Sequence, residues 1–139
     1  MRRLIAVSLF AAVLASPVLA QDSGKKVPVH KITQSKSYTM IDPIYTPIMQ
    51  DDKPVGLLMI GIGIDVPDEK LRAETKHALP VLRDAYVRSM MEFTATSVRP
   101  WQQPNVVAIA DRLQHATNVI MRREGAKILL AEVAMRLVH

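Results

Sequence analysis

Cysteine is absent from the 139 residues. Disulfide staples, cysteine-ligated zinc and thiol catalysis are thereby excluded, as is a lipoprotein anchor, which needs a cysteine after the export signal. Recurring catalytic signatures are missing too. There is no Gly-x-Ser-x-Gly elbow and no HExxH group. Gly61-x-Gly63 is not a phosphate loop: it sits inside an apolar run, with no further spaced glycine and no Lys-Ser/Thr pair after it. His30, His77, His115 and His139 are scattered, with no i, i+4 pair to hold a metal. The acidic doublets Asp51-Asp52 and Asp68-Glu69 read as a turn and a helix start. The residues therefore give no catalytic, cofactor or metal site. The alternative left open is a site assembled from residues distant in sequence, a hydrolase among them.

An excess of one charge is also lacking. The net charge of +5 includes Arg2 and Arg3, and basic runs such as Lys25-Lys26 are short, so it reads as a solvated surface without nucleic-acid binding. With 49% hydrophobic residues, the chain has material for one modest core and a single domain.

At the N-terminus, Met1-Arg-Arg is a positive n-region and Leu4 to Ala15 an apolar h-region. Ser16-Pro-Val-Leu-Ala20 then offers small residues for cleavage, so residues 1–20 read as a secretory signal cut after Ala20. The alternative is a short anchor. Leu4 to Ala20 spans 17 residues and is interrupted by Pro17, at the lower edge of the roughly 17–25 apolar residues that a spanning helix needs. Residues 21–37 are polar and aperiodic, the pattern of a flexible linker.

The remaining residues, 38–139, carry the periodic pattern. Tyr38 to Gln50 reads as a strand with Met40, Ile44 and Ile48 on one side and Ile41, Tyr45 and Met49 on the other. Pro43 and Pro47 lack amide donors and place it at a sheet edge. Asp51-Asp-Lys-Pro54 is a turn into a second strand, Val55 to Val66. There Leu58, Ile60, Ile62 and Ile64 share one face, expected to meet helices. Leu57, Met59, Gly61 and Gly63 share the other, expected to be covered as well, with the glycines admitting a close neighbour. Asp68 caps a helix in which Leu71, Ala78, Leu82, Ala85, Ser89 and Phe93 recur, with Pro80 expected to kink or break it near Lys76 and His77. Thr94 to Pro104 is a loop whose Trp101 is read as a plug over the core. A second helix, about Asn105 to Arg123, carries Val106, Ile109, Ala110, Leu113, Thr117 and Ile120, with Gly125 as its C-cap. Ala126 to Val138 closes the chain as a strand, its apolar face Leu129, Ala131, Val133, Met135 and Leu137, paired with the Val55 strand. The expected fold is α+β: a three-stranded antiparallel sheet with two main helices on one face, in the order β-β-α-α-β.

Leu79-Pro80-Val81-Leu82-Arg83-Asp84-Ala85 resembles the Pro-x-x-Arg-Asp motif of the FliL family, the flagellar basal-body-associated proteins. The extended pair before it, the Asp68-x-x-Leu71 start, the segment Val106 to Ile120 and the terminal strand agree in order. The resemblance thus covers about Tyr38 to Val138, its specific part being the short motif. It implies a non-enzymatic periplasmic domain of stomatin (SPFH-like) type that assembles as a ring around the flagellar motor's stator units, with Pro80, Arg83 and Asp84 as motif residues. Members usually keep a transmembrane anchor, whereas here a cleavable signal and a short linker suit a relative whose task has moved away from the motor. Arg83 and Asp84 are expected to be paired and buried where helix meets sheet. Gly61, Gly63 and Trp101 form the candidate interaction face. The function expected is self-association and contact with a membrane partner; the alternative is a monomeric periplasmic binding module. Its apolar pocket, between sheet and helices, would take a lipid or small ligand, and the eight methionines, including Met90 and Met91, suit an adaptable lining.

Overall fold

A computed structural model describes residues 34–138. The chain forms two strands, β1 (Tyr38–Gln50) and β2 (Lys53–Asp65), two helices, α1 (Glu69–Ser97) and α2 (Val106–Met121), and a last strand, β3 (Lys127–Leu137). The sheet order is β1-β2-β3, both pairings antiparallel, and the fold is the expected α+β arrangement. The signal segment and nearly all of the linker lie outside the described residues.

Alternation in β2 builds the core. Leu58, Ile60, Ile62 and Ile64 are all but inaccessible, packed with Leu82, Tyr86, Met90 and Phe93 of α1 and Ile109 and Leu113 of α2. Each such side chain contributes about 1.5–3 kcal/mol by leaving water. β2 is the middle strand, yet among the described residues helices cover only one of its faces. Leu57, on the other, is exposed, which corrects the expectation of a strand buried on both sides.

Two bulges correct the strand faces. The β1–β2 register shifts between Ile41 and Ile44, so Asp42 and Pro43 have no ladder partner. The extra residue changes the parity: Ile41, Ile44, Thr46 and Ile48 all point inward, while Met40 is 70% exposed. On β3, Gly61 pairs with Glu132 and Ile62 with Leu130, leaving Ala131 as the extra residue. Ile128 and Leu130 therefore share the inner face with Val133 and Met135, rather than Leu129 and Ala131 doing so.

The Asp68 carboxylate accepts a hydrogen bond from the Leu71 amide at 2.6 Å and caps α1 as expected. No break follows at Pro80: α1 is one helix of 29 residues. Lys76, whose carbonyl loses its donor to Pro80, is exposed, and buried side chains on both sides of the proline hold the two halves on one sheet. α1 also extends to Ser97, through four residues expected in the loop. α2 stops earlier than expected, with Arg122 as a left-handed C-cap at φ 54°, and Gly125 serves the next turn instead at φ 117°. The ion pair Arg123–Glu74 ties this end of α2 to α1.

The hairpin turn is shorter than the expected four residues, because Lys53 and Pro54 already pair with Gln50 and Met49. Asp51 and Asp52 alone make it, at φ 50° and 62°, a two-residue turn of type I′. An L residue other than glycine is strained there. Asp52→Gly is expected to raise stability by about 0.5–1 kcal/mol in urea unfolding.

Candidate functional site

The motif is held against the β1 bulge. Freed from the ladder, the Asp42 carbonyl accepts a hydrogen bond from Arg83 Nη1 at 2.8 Å, and the Asp42 carboxylate lies 4.0 Å from the same nitrogen. Pro80 and Arg83, three residues apart, fall on one side of α1 and with Leu79, Met40 and Ile41 line a shallow cleft over that bulge. Asp84 is turned away from it and pairs with Arg88 one turn on, at 2.6 Å. Both motif charges are thus paired, but only Arg83 pairs across the helix–sheet junction as expected, and neither is buried: their side chains are 42% and 65% exposed. Arg83 works as a clip on a bulge, and Asp84 belongs to the helix surface.

The candidate interaction face divides similarly. Gly63 is buried under the ring of Tyr38, which occupies the space that a side chain at 63 would need, so the close neighbour its lack of a side chain admits comes from the same chain. Gly61 has ordinary room beside Glu132 and Ala131. Around them the outward face of the sheet is apolar: Tyr45 stands beside Met59 and Ala134, and Pro47 beside Leu57 and Arg136. At its end Asp65 lies opposite Lys127, with one carboxylate oxygen buried and without a hydrogen bond. Trp101 is not a plug. It is 72% exposed in the loop between the helices, where Val98 turns into the core instead.

No group of three or more potential metal ligands occurs among the described residues. His77 and His115 are exposed, while His30 and His139 lie outside the described residues. No helix among the described residues is long and apolar enough to cross a membrane.

Two features escaped sequence reasoning. One is a pair of buried hydroxyl relays. Thr94 donates to the Met90 carbonyl at 2.7 Å, so its single proton is spent and Thr46 must be the donor in the 2.7 Å contact between them, which joins β1 to α1. Likewise Thr117 donates to the Leu113 carbonyl at 2.8 Å, so Tyr86 donates to Thr117 at 2.6 Å and joins α1 to α2. Their signal is threonine four residues after a buried apolar position, Met90 then Thr94 and Leu113 then Thr117. The other is a groove of about 530 Å³ between α2 and β3, formed by Val106, Val107 and Ala110 against Ile128 to Val133. Exposed valines at the start of α2 were its signal.

No family model matches this chain, and no curated protein does. The sites therefore stand on their geometry. None of them joins a nucleophile to a base, while the exposed apolar surfaces suit binding.

Arg83→Ala is expected to cost about 0.5–1 kcal/mol, since the bond is real but half-solvated, and Asp84→Ala only a few tenths; chemical denaturation of the two variants checks the order. A pH effect follows from Tyr86. Burial pushes its phenol above the ordinary value of about 10, the Thr117 hydrogen bond opposing this more weakly. Above that ordinary value the unfolded chain loses this proton while the folded chain keeps it, so stability falls as pH rises through that range. Tyr86→Phe should lose about 1 kcal/mol at neutral pH and show a flatter decline above pH 10 in urea titrations.

Proposed function

We propose that this is a non-enzymatic, exported FliL-like protein that works in the periplasm by self-association and by contact with a membrane-protein partner, flagellar stator proteins among the candidates. The observation that carries the reading is the uncovered apolar face of the sheet, where Met40, Tyr45 and Leu57 stand exposed on a stable scaffold. Surfaces of that kind mark interaction sites. The order β-β-α-α-β and the Pro80-x-x-Arg83-Asp84 motif accord with the family resemblance and with a stomatin-type domain. Met1 to Ala20 supports export, with an inner-membrane anchor if that segment is kept.

A second reading has its own observation. The groove between α2 and β3 is lined by apolar residues except Glu132 and would suit a lipid tail or other small apolar ligand on a monomer. The core between sheet and helices is filled by side chains, so this outer groove is where such a ligand would sit.

Native mass measurement with cell fractionation separates the two. Expression in a Gram-negative host is expected to give an oligomer without bound ligand, beginning at Gln21 in the periplasmic fraction, or uncut and membrane-bound if the segment anchors. A monomer carrying a co-purified small molecule would overturn the self-association reading.

A further inference from the structure

The two edges of the sheet are not alike. β1 carries Pro43 and Pro47, which lack amide donors and blunt an edge against further pairing. β3 runs for eleven residues without proline, and among the described residues no other strand lies along its outer edge. From the β3 edge we infer that two copies of the chain join antiparallel, centred on Ala134, into one six-stranded sheet. This rests on the self-association proposed above and names its surface.

Charge selects the register. With Ala134 opposite Ala134 of the second copy, Glu132 of each chain stands directly opposite Arg136 of the other, giving two ion pairs by symmetry. Centring the strands on Glu132 or on Arg136 sets like charges face to face, and centring them on Val133 or Met135 leaves both charges opposite apolar residues.

Backbone polarity agrees. The Val138 amide donates to the Val55 carbonyl at 2.9 Å, so Ala134 and Arg136, in the same phase, also turn their backbone groups toward β2. Val133 and Met135 turn theirs to the free edge. In the Ala134 register these two meet as a hydrogen-bonded pair, while Ala134–Ala134 and Glu132–Arg136 are the close, non-hydrogen-bonded pairs.

The apolar ends then find a place. Because Ala131 is the extra residue of the bulge, Leu137 of the second copy falls opposite Leu130, and Val138 opposite Leu129. Leu130 and Leu129 line the groove under Val106 and Val107. Leu137, 37% exposed in the single chain, thereby enters the other copy's groove, while Val138, 74% exposed, is covered beside Leu129 on the outward face. The arrangement is isologous and closes at two chains.

Sedimentation of the full chain over a concentration series tests this. Glu132→Arg and Arg136→Glu are each expected to weaken the dimer about tenfold or more by creating two like-charge pairs, and the double exchange to restore it. Because the chain has no other cysteine, Ala134→Cys should yield a disulfide-linked dimer on mild oxidation, whereas Glu92→Cys, on the exposed side of α1, should not. Circular dichroism confirms that each variant is folded. A wild-type chain that stays monomeric throughout overturns both self-association and this inference. If the chain assembles while the single reversals leave assembly unchanged and Ala134→Cys forms no crosslink, the β3 edge alone is overturned.

Discussion

One row of four side chains, Leu58, Ile60, Ile62 and Ile64, decides most of the structure. They occupy alternate positions of the one strand that, among the described residues, has neighbours on both sides, so their burial fixes which face of the sheet receives the helices. A one-residue slip of β2 would turn all four to water. At about 1.5–3 kcal/mol each, such a slip would cost most or all of a small domain's stability. Both helices then lie on that face, α1 reaching β1 and α2 reaching β3, and among the described residues no further element covers the other, where only the Tyr38 ring lies over Gly63.

Against this apolar row the buried hydroxyls are a second layer of specification. A buried threonine or tyrosine without a partner is expensive, and each relay avoids that by ending on a helix carbonyl that already accepts from its own ladder. Thr46 can meet Thr94 only if β1 lies at one depth against α1, and Tyr86 can meet Thr117 only if the two helices share one register. Apolar contacts tolerate small slides; these bonds do not.

Much of this was legible in the sequence, for a physical reason. The element order, the β2 face and the Asp68 cap each follow from local spacing, and local spacing is what periodicity reports. What was not legible depends on residues that break the period. Asp42-Pro43 and Ala131 each insert one residue, and from there every side chain in the strand changes face, so Met40 and Leu129 were placed on the wrong sides. Pro80 did not break α1, since packing on either side holds both halves on one sheet. Trp101 was assigned by its size, yet loop geometry decides where an aromatic points, and here it points outward. At the motif, the spacing put Pro80 and Arg83 together correctly; that Arg83 answers a carbonyl freed by a bulge 41 residues earlier required the fold.

The same irregularities set how copies of the domain can meet. Pro47 sits in the β1–β2 ladder opposite Leu57, so its missing amide must fall on the outer edge, where a new strand would need a donor. The Asp42 carbonyl, another group released by the first bulge, is already occupied by Arg83. An incoming β3 would therefore find β1 a poor partner, and head-to-tail growth by strand pairing is disfavoured. Strand pairing between two β3 edges meets no proline; the Ala131 bulge and the Ile128 amide, held by Gln114, leave Val133 and Met135 free to pair, but this pairing consumes the edge and stops at two. A ring of such domains could not be propagated through strand edges alone. It would need a further surface, and the apolar outward face around Tyr45, Leu57 and Met59 is the one that the single-sided packing of β2 leaves exposed.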